Sequence, residues 1–166
     1  MKQESLSTHR LLIDPLSMND SEFIFRLLNS EGWIRFIGNR NIKTLQDAGL
    51  YIQKIIFNPN ADYWVVKLKE KKEAIGIITL IQRDYLEHRD IGFAFLPDYS
   101  GQGYAFEAAA AVLKHLTEIL QLKVIQAITI PDNQSSIKLL KKLGLEFEKE
   151  ITYEQEQLHV YSGVPR

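Results

Sequence analysis

The most constraining feature of the chain is a glycine-rich turn between an apolar run and a long amphipathic run. Residues 90–106 read DIGFAFLPDYSGQGYAF, so a strand closed by Pro97 leads through Gly101 and Gly103 into a helix. Glycine lets a backbone approach an anion closely, and the free N–H groups and dipole of a helix N-terminus favour negative charge. The turn therefore predicts either a phosphate-binding backbone cradle or a tight connection whose glycines serve only its backbone angles.

Two common classes of phosphate-binding loop do not fit this turn. A P-loop ends in Gly-Lys-Ser/Thr, whereas Gly103 is followed by Tyr104 and Ala105. A dinucleotide-binding fingerprint, G-x-G-x-x-G, counted from Gly101 needs a glycine where Phe106 stands. That fingerprint also belongs to a repeated parallel βαβ array, which the order of apolar runs does not suggest.

Hydrophobic periodicity predicts a mixed α+β fold around one twisted sheet. The predicted strands are residues 10–16, 63–68, 74–81, 89–96, 124–130, 145–150 and 157–164. The predicted helices are residues 20–29, a short piece within 31–41, a helix capped by Thr44 that stops before Asn58, and residues 105–120 and 133–143. The unit from 89 to 130 suits a parallel crossover, whereas the other strands favour antiparallel pairing.

Length and charge narrow the class of protein. A chain of 166 residues with 45% hydrophobic and 25% charged residues is expected to form one folded domain over residues 1–166. Its 20 basic and 21 acidic side chains give a formal charge of −1. That balance argues against general attraction to nucleic acid or to an anionic membrane, although it allows a local basic patch.

The chain has no cysteine, which excludes a disulfide framework, a zinc ribbon, a redox dithiol and a cysteine nucleophile. We expect no bound metal. The polar N-terminus lacks the apolar core of a signal peptide, and no apolar run approaches the roughly 18–20 residues of a membrane-spanning helix. A soluble, cytoplasmic protein is the expectation.

The glycine turn resembles motif A of the GNAT acyltransferases, Q/R-x-x-G-x-G/A. Ser100, Gly103 and Ala105 occupy its three defined positions, and Ser100 departs from the usual Gln or Arg. Backbone N–H groups do not depend on side-chain identity, so this departure leaves an anion site possible. The longer stretch IGFAFLPDYSGQGYAFEA is similar to the RimJ/RimL-like branch of that family.

A second segment carries the same resemblance independently. IPDNQSSIKLLKKLGLEF resembles the family's motif B, N-x-x-S-x-x-x-L-x-K-L-G-F, and it matches at Asn133, Ser136, Leu140, Lys142 and Gly144. The segment WIRFIGNRNIKTLQDAGLYI is similar to a third, softer element of the branch. The resemblance covers residues 10 to 161.

The resemblance implies a GNAT fold, in which a central twisted, mostly antiparallel sheet contains one splayed parallel strand pair and is flanked by helices. It implies that acetyl-CoA lies between residues 89–96 and 124–130, with Asn133 bonding the pantetheine arm or simply capping its helix. The other implied cofactor-binding residues are Phe93, Ala94, Phe95 and Leu96 for the pantetheine amides, and Gly101, Gln102, Gly103, Tyr104 and Ala105 for the pyrophosphate.

The resemblance also implies two catalytic residues. Leu140 stands where many GNAT enzymes carry a tyrosine that acts as the general acid. Ser136, one helical turn earlier, is therefore the best remaining hydrogen-bond donor to the sulfur. Asp90 begins the cofactor strand and is the expected general base, with His88 a weaker candidate. The alternative for Ser136 is an ordinary polar residue near a helix start, and for Asp90 an edge carboxylate paired with Arg89 or Arg83.

The function implied is acetyl-CoA-dependent transfer of an acetyl group to a primary amine, by direct transfer in a ternary complex. The acceptor is a protein N-terminus or a small amine, and the protein is a monomer or a homodimer. The alternative is a non-catalytic CoA-binding sensor or interaction module of the same fold. Four aromatic residues either wall the acceptor site or belong to the core: Trp33, Phe36, Tyr85 and Tyr153.

Overall fold

The computed structural model describes residues 3–165, and eight strands in that part of the chain form one sheet. The strands are β1 (Leu6–Ser7), β2 (Leu11–Pro15), β3 (Ala61–Leu68), β4 (Ala74–Ile81), β5 (Asp90–Phe95), β6 (Ile125–Thr129), β7 (Glu146–Tyr153) and β8 (Glu156–Gly163). Their order is β1-β2-β3-β4-β5-β6-β8-β7. The β5–β6 pair is parallel and the other neighbours are antiparallel, which confirms the expected fold class.

Helices cover both faces of the sheet. They are α1 (Ser21–Leu28), α2 (Glu31–Phe36), α3 (Leu45–Ile56), α4 (Tyr104–Leu120) and α5 (Gln134–Lys142). Thr44 and Asp47 form the expected capping box at the start of α3, and Asn133 caps α5. No helix within residues 3–165 is both long enough and apolar enough to cross a membrane.

Strand alternation divides the core into two layers. Successive side chains of a strand point to opposite faces, so Trp64 of β3 joins the core beneath α4 and α5, while Val65 joins the core beneath α1 and α3. On β5, Ile91 lies in the α4/α5 layer and Ala94 packs against the α1/α3 layer. Neighbouring residues of β5 therefore point into different layers of the core.

The last hairpin is longer than the sequence indicates. Strand β7 runs to Tyr153 rather than ending at residue 150, and β8 starts at Glu156. The two residues between them, Glu154 and Gln155, both have positive φ, at 48° and 68°. Hairpin turns of this kind usually carry Asn-Gly or Asp-Gly, so the usual sequence signal for the turn is missing. The two-residue strand β1 was also not expected.

A glycine in β4 makes room for a β5 aromatic ring. Gly76 is opposite Phe95 in the β4–β5 register, and a Cβ added to Gly76 would overlap the Phe95 ring. The ring therefore lies directly on the glycine backbone, which fixes the end of β5 that leads into the glycine turn.

We predict that Gly76→Ala lowers the free energy of unfolding by about 1–3 kcal/mol, because the Phe95 ring must move to admit the methyl group. Urea denaturation measures the loss. Gly32→Ala is the matched control, since nothing lies within 4 Å of its added Cβ and Gly32 is in a helix. That variant should be neutral or more stable by up to about 1 kcal/mol. Equal stabilities of the two variants would contradict the close contact.

Candidate active site

The splay between β5 and β6 opens a gap in the sheet. The two strands share one register pair, Asp90 opposite Gln126, where the Gln126 N–H donates to the Arg89 carbonyl over 3.0 Å. Beyond this position β5 has no partner on its β6 side among the described residues. The strands are joined at one end and open at the other.

Backbone alternation decides which β5 groups face the gap. Because the Arg89 carbonyl faces β6, the backbone groups of Phe93 and Phe95 face the same way. The Leu96 N–H instead donates to the Ile75 carbonyl over 2.9 Å, and the Leu96 carbonyl accepts from Tyr99. Among the four predicted pantetheine contacts, Phe93 and Phe95 thus offer free backbone to the gap, whereas Ala94 and Leu96 face β4.

The glycine turn lies just past the open end of β5 and presents a row of unpaired donors. Gly101 and Gly103 have φ of 74° and 82°, in the left-handed region that favours glycine. Within the described residues, none of the backbone N–H groups of residues 101–105 donates to a protein acceptor, and α4 has no side-chain cap at its start. A row of five free N–H groups at a helix N-terminus is suited to a pyrophosphate anion.

Arg10, the residue before β2, contacts the glycine turn through a backbone carbonyl. The Arg10 Nη1 donates to the Gln102 carbonyl over 3.1 Å. Because a peptide unit is planar, the N–H of Gly103 points away from that carbonyl and towards the open side of the turn. Arg10 also forms a cation–π contact with Tyr104, 4.3 Å from the ring centroid.

Glu107 in the first turn of α4 anchors that arginine. Its carboxylate accepts from the Arg10 Nε over 2.7 Å, from the Arg10 backbone N–H over 2.9 Å and from the Thr8 hydroxyl over 2.7 Å. Partial burial opposes ionisation, but these hydrogen bonds lower the pKa of Glu107 overall. The sequence did not indicate the pair, because Arg10 and Glu107 are 97 residues apart in the chain.

Asn133 and Ser136 lie together at the start of α5. The Asn133 Oδ1 accepts from the Ser136 N–H over 3.2 Å and from the Ser135 hydroxyl over 3.3 Å, so Asn133 caps the helix. Among the described residues, the Asn133 amide nitrogen and the Ser136 hydroxyl form no hydrogen bond, and Ser136 is half-buried. Leu140 is packed into the core beneath the helix.

Asp90 lies at the closed end of the gap, on the opposite face from α4. It is 2% exposed and forms a close ion pair with Arg83. Burial raises the pKa of Asp90, and the Arg83 guanidinium opposes that rise. The other expected partner, Arg89, bonds Asp62 over 3.4 Å.

The four aromatic candidates differ in burial: Trp33 is buried, Phe36 and Tyr85 are half-buried, and Tyr153 is exposed. Trp33 is buried in the α1/α3 layer. Tyr85, in the β4–β5 loop, stacks on Tyr153 at the end of β7 with ring centroids 3.9 Å apart. The pKa of Tyr85 is raised, because burial outweighs the opposing charge and hydrogen bonding of Arg83. Phe36 lies under the guanidinium of Arg35.

The chain matches the family model described as acetyltransferase (GNAT) domain over residues 10–146. It is 30% identical over 144 residues to the uncharacterized N-acetyltransferase YnaD of Bacillus subtilis, covering 86% of this chain and 83% of that protein. It is also 24% identical over 150 residues to the spermidine N(1)-acetyltransferase of Escherichia coli K12, covering 89% and 79%.

Solved structures agree on the fold. A GNAT-family acetyltransferase from Bacillus anthracis superposes with a TM-score of 0.82 at 24% identity, covering 97% of this chain and 98% of that one. The ribosomal L7/L12 α-N-protein acetyltransferase RimL, in complex with coenzyme A, superposes with a TM-score of 0.84 at 13% identity, covering 98% of both chains. At these identities the likeness establishes the fold.

We predict that Arg10→Met weakens binding of CoA about tenfold, the effect of losing one orienting hydrogen bond of about 1.4 kcal/mol. Binding of pantetheine, which lacks the pyrophosphate and the nucleotide, should not change. Titration calorimetry of both ligands measures this difference. Lys69→Met is the matched control, because Lys69 donates to the Thr8 carbonyl and does not contact the turn. Equal losses for CoA and pantetheine would contradict a role in orienting the turn.

We predict that Arg83→Met destabilises the protein by about 3 kcal/mol at pH 8, because it leaves the buried Asp90 carboxylate unpaired. A carboxyl whose pKa is raised on folding takes up a proton in the folded state, so folding becomes more favourable as pH falls through the folded pKa. The loss should therefore shrink at pH 5, as measured by urea denaturation. The double variant Arg83→Met/Asp90→Asn should recover most of the stability and lose the pH dependence. A loss of equal size at both pH values would argue against this pair.

Proposed function

The chain belongs to the GNAT family of acetyltransferases, and we propose that it transfers an acetyl group from acetyl-CoA to a primary amine, on a protein N-terminus or a small molecule. The observation that carries the proposal is the row of N–H groups at residues 101–105, which have no acceptor within residues 3–165 and lie beside the open end of the β5–β6 gap. We further propose that residues 1–166 form one domain of this kind, that it acts in the cytoplasm and that it lies in the RimJ/RimL-like branch.

The residues at the gap fit acetyl-CoA as co-substrate. The N–H groups of residues 101–105 match a pyrophosphate, and the free backbone of Phe93 and Phe95 matches the amides of a pantetheine arm by strand addition. The amide nitrogen of Asn133, which has no acceptor in the described part of the chain, is a further donor for that arm, so capping and cofactor binding use different atoms of one side chain. Ala94 and Leu96 support the strand from its β4 side.

Acetyl-CoA supplies an acetyl group activated as a thioester. In this proposal Ser136 donates a hydrogen bond to the departing sulfur, because its hydroxyl is half-buried and has no partner among the described residues. The backbone N–H of Phe95 supports the developing negative charge on the acetyl oxygen. Asp90, the general base predicted from the sequence, can take a proton only if its carboxylate leaves Arg83.

The absence of cysteine favours direct transfer in a ternary complex, since this chain cannot form an acyl-cysteine intermediate. The acceptor is left open by the relatives: one is named for spermidine and one structure for a ribosomal protein. Both a protein N-terminus and a small amine are therefore kept as acceptors, and a monomer and a homodimer as assemblies.

A non-catalytic CoA-binding module is the second candidate. The observation that favours it is Leu140, which is 1% exposed and stands where the resemblance expects an acidic tyrosine. Such a protein would bind CoA through the same glycine turn but would not transfer an acetyl group to an amine.

Thiol release from acetyl-CoA, measured across amines and peptide N-termini, tests the proposal. We expect turnover with at least one acceptor, and we expect Ser136→Ala to lower kcat by about tenfold or more while CoA affinity stays unchanged. Ser135→Ala is the control, since Ser135 is exposed and adjacent and its loss leaves the Ser136 N–H bonded to Asn133. Tight CoA binding without turnover of any acceptor would support the second candidate instead.

A further inference from the structure

A glutamate from the far edge of the sheet reaches the closed end of the gap. Gln126 of β6 lies directly opposite Asp90 and is fully buried. Its Nε2 donates to the Glu148 carboxylate over 3.0 Å, and its Oε1 accepts from the His88 N–H over 2.9 Å. Both ends of the Gln126 amide are therefore fixed. Its nitrogen holds the Glu148 carboxylate beside β6, two strands away from β7, to which Glu148 belongs.

A β-bulge directs this side chain. In the β7–β8 register Phe147 pairs with Tyr161 and Lys149 pairs with the next residue, Val160, which leaves Glu148 without a partner. An extra residue of this kind re-aims a side chain away from the regular alternation, and such bulges are frequent beside active sites. The carboxylate therefore points to Gln126 across β8 instead of standing above its own strand.

Glu148 lies on the face from which an acceptor would approach. Ile91 and Ile125 belong to the core beneath α4 and α5, so the adjacent residues Asp90 and Gln126 point to the opposite face. The glycine turn leads into α4 on the first face. A cofactor held there leaves the second face for an incoming amine.

Charge pairing distinguishes Glu148 from neighbouring carboxylates. Asp90 is bound by Arg83, Asp62 by Arg89, and Glu150 by His159. Glu148 is exposed, accepts from a neutral amide and forms no salt bridge among the described residues. It is thus a carboxylate at this end of the gap that is both positioned and available to a cation.

We propose that Glu148 is the carboxylate that binds the acceptor ammonium and takes a proton from it. This proposal rests on the acetyl transfer proposed above. The ammonium gives one proton to Glu148, the neutral nitrogen bonds to the acetyl carbon, and the carbon–sulfur bond breaks. The nitrogen's second proton goes to the sulfur and Glu148 passes its own to water. The products are an amide, the CoA thiol and one proton.

The test is kcat/KM of Glu148→Gln against pH, with the best acceptor from the amine panel. At pH 7 we expect a loss of about a hundredfold, the usual size of a general-base contribution, and unchanged CoA affinity by calorimetry. The loss should shrink as pH approaches the pKa of the acceptor amine, because a free amine needs no base. Glu146→Gln is the matched control, since Glu146 is an exposed carboxylate two residues earlier on β7.

Gln126→Leu offers a second variant that keeps Glu148 and removes its anchor. We expect a smaller loss of kcat/KM, about tenfold, with the melting temperature reporting folding. Wild-type kcat/KM in Glu148→Gln, or a loss of equal size at every pH, would overturn the role of Glu148. The role of Glu148 would also be overturned if Asp90→Asn, and not Glu148→Gln, showed the pH-dependent loss of kcat/KM. Wild-type protein that acetylates no amine would overturn the proposed transfer itself, and this role with it.

Discussion

The parallel contact between β5 and β6 is the constraint on which the rest of the site depends. These strands share one register pair, Asp90 and Gln126, and then separate. A parallel pair requires a crossover, which α4 supplies, and the crossover must begin with a turn sharp enough to leave the sheet at once. Gly101 and Gly103 provide that turn at positive φ. The open backbone of β5 and the unpaired N–H groups of the turn are consequences of one topological feature.

The surrounding structure keeps this feature in place from both sides. Behind the turn, the Arg10–Glu107 pair ties the edge of β2 to the first turn of α4. At the closed end, Gln126 and the Arg83–Asp90 pair occupy the opposite face. A cofactor approaching from the α4 side and an amine from the other side would meet where the strands part. In the proposed transfer, the gap between β5 and β6 is where the thioester and the amine come together.

The sequence was sufficient for local features and insufficient for long-range ones. Strand and helix positions, the Thr44 capping box and the strand–turn–helix unit follow from periodicity and turn chemistry, and the structure has them. Arg10 and Glu107 could not be paired from sequence, because their contact depends on the packing of two distant elements. Glu148 was missed for a different reason: a bulge breaks the alternation from which its direction would be inferred. The Glu154-Gln155 turn lacks the glycine that usually marks such a hairpin.

In the proposed mode of binding, coenzyme A contacts backbone groups exposed by the splayed strands and the glycine turn. Amide hydrogen exchange, followed residue by residue by NMR with and without CoA, tests it most directly. We expect CoA to slow exchange at the N–H groups of Phe93 and Phe95 and of residues 101–105, with little change at the already paired N–H of Leu96. Protection that is absent from these groups at saturating CoA, or that appears elsewhere on the molecule, would contradict this mode of binding.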